Sequence, residues 1–181
     1  MVRFNYDKEK TITSLLFILN KLGAIGFHKL FKILYFADQK HLVNYGIPIT
    51  GDIYIAMKNG PVPSVIYDTL KEIKKSLKFD ITASELNDFF EVKSEHFVAA
   101  KRKADIEFLS ETEWECLEES IKENCDLQFD KLEDKSHKAA WSNTKLNNKM
   151  SYIDIAIDGG ASEIMLDYIK MVAENQGCTF S

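Results

Sequence analysis

Glycine residues divide the first part of the chain into segments whose apolar residues repeat with a helical period. Residues 7–22 carry apolar side chains at three- and four-residue steps and are followed by Gly23. Residues 28–45 have the same period and are followed by Gly46. Because glycine readily adopts the left-handed conformation that ends a helix, this spacing predicts two amphipathic helices. Their short link favours packing as an antiparallel hairpin.

The buried faces of the helices follow from the same period. On the second helix we expect the core to receive Leu30, Ile33, Leu34, Ala37 and Leu42. A third helix over 64–77 is expected to bury Val65, Ile66, Leu70, Ile73 and Leu77. A last helix over 162–175 is expected to bury Ile164, Met165 or Leu166, Tyr168, Ile169 and Val172.

Strand signals are short and lie between these helices. Residues 53–57 read as a strand, Asn59-Gly60 as a turn, and Pro61-Val62-Pro63 as an extended stretch. After a polar loop over 79–88, residues 89–92 and 96–100 are expected to form a hairpin. We expect these two strands and 53–57 to form one small antiparallel sheet.

The second half of the chain is again mainly helical. Ser110 and Glu113 have the spacing of a capping box, which predicts a helix ending near residue 124. Further helices are predicted over 131–138 and, as a single turn, over 151–157. No repeat or linker divides the chain. The prediction is an α+β fold, a mainly helical single domain over residues 1–181 with a small antiparallel sheet.

Composition excludes several classes of protein. The 181 residues contain three cysteines in no CxxC pair, which argues against a disulfide framework or zinc ribbon. A formal net charge of -5 is unlike the basic surface of a nucleic-acid-binding protein. The sequence has no signal-peptide pattern and no apolar run long enough to span a membrane. We expect a cytoplasmic protein without a cofactor or metal.

Two groups of polar residues suggest chemistry, and each also has a structural interpretation. Asp38 and His41 share a helix face, which suits a general base or a metal ligand, or a hydrogen-bonded pair that holds the following loop. Ser136-His137 with Trp141 lacks the GxSxG pattern of a nucleophile, so a buried histidine packed on tryptophan is favoured. A hydrolase using Asp38, His41 or His137 stays open as an alternative.

The two turns around the 53–57 strand have two interpretations. Gly51 and Gly60 could let a partner approach the backbone closely, or they could simply permit tight chain reversal. Asp52 and Lys58 would flank the exposed surface in the first case. The pattern is not a phosphate-binding loop, because GxxxxGK[ST] is absent.

Several stretches together resemble one known family. Residues 29–42, KLFKILYFADQKHL, are similar to its "KLLYFAD…HL" signature, and residues 45–56 to its "YG.PITGD.Y.A" stretch. Residues 59–63 match its "GPVP" turn, and Ser136-His137 with Trp141 its "SH…W" positions. The family is the Panacea domain, or SocA-like antitoxin domain, related to the phage-associated protein GepA. The similarity covers about 10–145 and is strongest at 29–63, whereas the C-terminal helix matches less well.

This resemblance implies a bacterial or prophage antitoxin whose partner is a cognate protein toxin. It also implies alternatives: an adapter that delivers the toxin to a ClpXP-type protease, or a prophage accessory protein that binds a host factor. The family implies no catalytic residue, so no enzyme activity is expected. The motif positions that we expect to contact the toxin are Tyr35, Asp38, His41, Tyr45, Asp52, Tyr54 and Lys58. Those expected to be structural are Gly51, Gly60, Pro61, Pro63, His137 and Trp141.

Overall fold

Helices account for most of the fold, with two small antiparallel sheets between them. The computed structural model describes residues 2–76, 86–93 and 96–177. Its elements, in chain order, are α1 (Lys8–Leu22), β1 (Ile25–Gly26), α2 (Phe27–Tyr45), β2 (Tyr54–Met57), β3 (Gly60–Pro63), α3 (Ser64–Ser76), β4 (Phe90–Val92), β5 (Phe97–Ala100), a 3-10 helix (Ile106–Phe108), α4 (Glu111–Asn124), α5 (Phe129–Ser136), α6 (Ala139–Ser142), α7 (Tyr152–Asp158) and α8 (Glu163–Gly177). The predicted α+β class is confirmed.

The α2 helix lies between two hydrophobic clusters and contributes to both. Leu30 and Ile33 pack in the first cluster, with residues of α1, α3, α4 and the β4–β5 hairpin. Phe36 and Leu42 pack in the second, with residues of β2, α5, α7 and α8. All five core residues predicted for this helix are buried. Because the two clusters lie on different sides of α2, most of its side chains are buried.

Capping residues predicted from the sequence set one end of each of three helices, α1, α2 and α4. The Asp7 carboxylate accepts a hydrogen bond from the Lys10 amide at 3.0 Å and begins α1. Gly46 ends α2 in the left-handed region, at φ 80°. At the start of α4, Ser110 and Glu113 form the reciprocal bonds of a capping box. These three predictions are confirmed.

The prediction of a single sheet is wrong. The β2 strand pairs with β3, with Ile55 opposite Val62, whereas β4 and β5 form a separate sheet with β1. The Lys58-Asn59 turn brings Pro61-Val62-Pro63 back onto β2, so the local hairpin forms instead of the distant pairing. Its prolines lack N–H donors, which suits a strand that is paired on one side only.

Element boundaries in the second half differ from the predictions. The helix expected over 131–138 is α5, Phe129–Ser136, and a separate short helix, α6, follows it. The single turn expected at 151–157 is the seven-residue helix α7, begun by the Ser151 side chain. Predictions that fall on Leu77, on 79–85 and on Ser94-Glu95 lie outside the described residues.

Three residues predicted to be buried are exposed. On α3, Ile66 and Leu70 face the core and Val65 points away from it. On α8, Ile169 is buried, but Ile164 and Tyr168 are exposed. The apolar residues of α8 itself are spread over several of its faces, so the helical period of the sequence does not identify which face packs against the core. None of the described helices has the length and apolar character needed to cross a membrane.

Candidate functional site

A buried carboxylate on α2 organises the loop that follows this helix. Asp38 accepts hydrogen bonds from the Ile49 amide at 2.8 Å, the Thr50 amide at 3.0 Å and the Thr50 hydroxyl at 2.6 Å. The Tyr54 hydroxyl donates a fourth, at 2.7 Å. Burial raises the pKa of Asp38 to about 6, although these bonds favour the ionised form. The predicted role of holding the loop is confirmed.

A second buried carboxylate connects the same loop to α3. Asp52 accepts hydrogen bonds from the amides of Val65 at 3.0 Å and Ile66 at 3.1 Å, the first-turn donors of α3. Its carbonyl also accepts the Tyr152 hydroxyl of α7 at 2.5 Å. Burial raises the pKa of Asp52. Asp52 therefore caps α3 from a distance in sequence and joins it to the C-terminal part of the fold.

His41 is occupied by structural hydrogen bonds of its own. Its Nδ1 lies 2.8 Å from the Ile47 carbonyl and its Nε2 lies 3.1 Å from the Thr112 hydroxyl of α4. Its ring packs against Tyr45. Burial lowers the pKa of this imidazole. Each nitrogen already has a partner, and neither partner is Asp38. The predicted hydrogen-bonded pair of Asp38 and His41 is therefore wrong, and the two residues do not form a general-base pair either. Each holds the 47–54 loop through contacts of its own.

A buried lysine lies at the centre of a second polar group. The Lys32 ammonium donates a hydrogen bond to the Pro61 carbonyl at 3.0 Å, and the residue is only 1% exposed. A Cβ at Gly60 would lie 2.5 Å from Lys32 Nζ and 2.6 Å from Ser136 Oγ. Burial lowers the pKa of Lys32 to about 7, with the charge of Glu133 acting in the opposite direction. Only a glycine at position 60 leaves room for this arrangement.

Two imidazole rings lie close to this lysine and stack on aromatic side chains. His28 stacks on Phe129 with ring centroids 3.9 Å apart, and His137 stacks on Trp141 at 3.6 Å. Trp141 in turn donates its indole N–H to the Met57 carbonyl at 2.9 Å. Burial, followed by the positive charge of Lys32, lowers the pKa of His28 to about 4. The predicted packing of His137 on Trp141 is confirmed, although the histidine is only partly buried.

Both imidazoles carry a nitrogen whose hydrogen bonding is not satisfied. The Nε2 atoms of His28 and His137 are buried and have no hydrogen-bond partner, and Glu133 is 3.9 Å from the latter. Neutral rings avoid placing two more positive charges beside Lys32. Among the described residues, no group of three or more His, Cys, Asp or Glu side chains could hold a metal ion. The buried Lys32 ammonium thus lies where α2, the start of β3 and the end of α5 come together.

Three motifs that are far apart in sequence therefore meet at one place. Residues 29–42 supply Lys32, residues 59–63 supply the Gly60-Pro61 backbone, and the end of α5 supplies Ser136, which His137 follows. Sequence reasoning missed Lys32 and His28. The signal was available, because a lysine four residues after a histidine lies on an α2 face that is otherwise apolar.

Most of the residues predicted to contact a toxin are inside the protein. The exposed members of that set are Tyr45, at the end of α2, and Lys58, in the β2–β3 turn. The buried members are Tyr35, Asp38, His41, Asp52 and Tyr54. Because these five side chains are buried, they support the scaffold and are not exposed for contact with a partner in the folded protein.

The positions predicted to be structural include a glycine whose conformation depends on the lack of a side chain. At Gly51, φ is +66° and a Cβ would collide with the Asn5 carbonyl. Pro61 and Pro63 lie in β3 opposite Ala56 and Tyr54. The hairpin thus keeps a fixed path between the Asp38 network and the Lys32 group.

Comparisons with known proteins agree with this convergence of motifs. The family described as antitoxin SocA-like, Panacea domain, matches residues 30–142, which include the Asp38 network, Lys32 and the His137–Trp141 stack. No curated protein sequence matches the chain. No solved structure matches it. The family match extends over more than half of the 181 residues, and the chain therefore belongs to the SocA-like antitoxin family with a Panacea domain.

Proposed function

We propose that this protein is a cytoplasmic antitoxin of a toxin–antitoxin system, which binds a cognate protein toxin and neutralises it. The observation that carries the proposal is the SocA-like family match over residues 30–142. An antitoxin-like role implies a protein partner. The gene of a cognate toxin is expected beside that of the antitoxin, so the product of the adjacent reading frame is the candidate to test.

The scaffold supports a role in binding. Asp38 and Asp52 hold the 47–54 loop through buried hydrogen bonds, and Lys32 holds β3 against α2. Such contacts fix the backbone before a partner arrives. A preorganised surface loses less conformational entropy on association than a flexible one, so more of the contact energy contributes to affinity.

We also propose that neutralisation involves no catalysed reaction. Both nitrogens of His41 have partners, and the Lys32 ammonium is enclosed and bonded to a carbonyl. These contacts suit a structural role better than proton transfer to a substrate. Replacing His41 or His137 by Ala is expected to leave growth rescue intact wherever the variant remains folded. Loss of rescue by a folded, toxin-binding variant would instead support an enzyme.

The deciding experiment measures growth of cells that express the adjacent gene, with and without this protein, followed by co-purification. Toxicity that is relieved through a stable complex supports the antitoxin. The half-life of the partner distinguishes the mode of action, because a ClpXP-dependent shortening would indicate a protease adapter. A harmless neighbour that forms no complex would contradict the proposal and favour an accessory protein that binds a host factor.

A further inference from the structure

The last helix presents an apolar stripe that the other described residues leave exposed. Ile164 is 84% exposed, Tyr168 44% and Met171 50%. Residues spaced by four and then three positions lie on one face of a helix, so the three side chains form a continuous row. Single exposed apolar residues are common on protein surfaces, whereas a contiguous group is typical of an interaction site.

One side chain of the stripe also packs against the end of α2. A Cβ at Gly46 would collide with the Tyr168 ring, so this ring lies directly against the helix end and is held in place. We call Ile164, Tyr168 and Met171 together the α8 face. Aromatic and methionine side chains are enriched at the centres of protein interfaces, and this face contains one of each.

The charges around the α8 face favour a basic partner over a second copy. Glu163 and Glu174 are exposed at the two ends of the stripe, and between them Asp167 is paired with Lys170 at 2.9 Å. Two copies of α8 packed antiparallel about the middle of the stripe would place Glu163 of each against Glu174 of the other. The net charge of -5 adds a general repulsion between copies. Lysine or arginine at these two ends would instead be complementary.

The α8 face also lies outside the region that the family match covers. The family match ends at residue 142, whereas α8 spans Glu163–Gly177. Within the matched region, the motif residues considered as contacts are mostly buried. A surface that selects one partner is therefore better placed on α8 than on the shared motifs.

We propose that the α8 face is the docking surface for a protein partner that offers an apolar pocket bordered by lysine or arginine side chains. This inference rests on the proposed function, since the partner is taken to be the cognate toxin. Ile164, Tyr168 and Met171 provide the apolar anchors, and Glu163 and Glu174 pair with the basic border. Desolvated anchors at the centre of an interface carry most of its affinity.

The test measures binding of the adjacent gene's product to the full-length protein and to surface variants. Ile164→Glu with Met171→Glu places two carboxylates in the apolar row and is expected to weaken binding by at least tenfold. The matched control is Ile106→Glu with Phe108→Glu, a pair on the 3-10 helix that is 54% and 50% exposed. The control is expected to bind like the wild type. Circular dichroism and thermal unfolding establish that each variant is folded.

Two further variants test the anchors and the charges separately. Ile164→Ala removes the most exposed anchor without adding a charge, so it provides a second measurement if the paired glutamates disturb α8. Glu163→Lys with Glu174→Lys reverses the border and is expected to weaken binding most at low salt, where charge attraction is least screened.

Each outcome bears on a different statement. If the wild type binds the toxin and all α8-face variants bind equally well, the docking surface is wrong but the antitoxin function stands. If the wild type neither binds nor neutralises the neighbour, both proposals fail. If the free protein sediments as a dimer that Ile164→Glu with Met171→Glu converts to a monomer, the occupant is a second copy and the proposed basic partner is wrong.

Discussion

The Tyr54 hydroxyl donates a 2.7 Å hydrogen bond to the Asp38 carboxylate, which joins the central helix α2 to strand β2 inside the protein. The same carboxylate holds Thr50 through its amide and its hydroxyl. Family motifs that are separate in the sequence are thus parts of one hydrogen-bonded unit. The stability of this unit can be measured apart from any partner.

Replacing Asp38 by Ala is expected to destabilise the fold strongly. It leaves the amides of Ile49 and Thr50 and two hydroxyls without their acceptor. Each buried group left unsatisfied costs about 1–3 kcal/mol, so we expect a loss of at least about 3 kcal/mol. Tyr54→Phe removes only one of these bonds and is expected to cost about 1 kcal/mol. Urea denaturation measures both, and equal losses would contradict the central role of Asp38.

The pH dependence of stability is expected to reveal Lys32. Burial lowers its pKa to about 7 in the folded protein, whereas an unfolded lysine titrates near about 10.4. Between these values the unfolded chain binds the extra proton, so the unfolding free energy rises with pH relative to a Lys32→Met variant. The full gain in unfolding free energy, on the order of 5 kcal/mol, is reached above about pH 10.4 and is absent below pH 7.

Comparing wild type with Lys32→Met cancels the groups that titrate alike in both proteins. Burial and the charge of Lys32 lower the pKa of His28 and of His137, but above pH 7 both imidazoles are largely neutral with or without that charge. The charged or titratable neighbours are His28, Glu133 and His137. Urea denaturation of both proteins at pH 6, 8 and 9.5 provides the measurement. A constant difference in unfolding free energy across this range would show that Lys32 keeps an ordinary pKa.

Gly60 is expected to tolerate no side chain. Its φ is +98°, and a Cβ would meet Lys32 Nζ at 2.5 Å and Ser136 Oγ at 2.6 Å. Gly60→Ala therefore combines backbone strain of about 1 kcal/mol with displacement of the buried lysine, and we expect a loss above about 2 kcal/mol. Gly160 is the matched control, with φ +89° and no atom within 4 Å of its Cβ position. A Gly160→Ala loss as large as that of Gly60→Ala would exclude the steric explanation.

Removing the Asp52 carboxylate is expected to weaken the start of α3. Asp52→Ala leaves the Val65 and Ile66 amides without an acceptor, a loss of about 1–2 kcal/mol. Asp52→Asn keeps one acceptor oxygen and is expected to recover part of this loss. Hydrogen exchange of the α3 amides locates the effect. Uniform protection in both variants would contradict the capping role.

Local chemistry made much of the fold predictable. The helix caps at Asp7, Gly46 and Ser110 depend on residues within a few positions, and all three are observed. The separation of the sheets was not predictable in the same way. Whether residues 53–57 pair with β3 or with the β4–β5 hairpin depends on tertiary packing. The alternation of apolar and polar residues along a strand does not specify its partner.

The candidate site shows where sequence reasoning stops. Asp38 was recognised as a residue that holds a loop, but its partners lie up to 16 positions away and depend on the path of the loop. Tyr35 and Tyr54 were read as contacts because aromatic residues suit interfaces, whereas both fill the second hydrophobic cluster. On α8, apolar residues at most positions made the exposed row at Ile164 and Met171 indistinguishable from a core face.

Because α2 contributes side chains to both hydrophobic clusters, neither cluster can lose its structure without exposing apolar surface in the other. The protein should therefore unfold in a single cooperative transition, with no stable half-folded species. Inside a cell, such a chain is either fully folded or fully unfolded, and only the unfolded form is readily cut by proteases. The amount of active protein is then set by one unfolding equilibrium, and a bound partner shifts that equilibrium for the entire molecule.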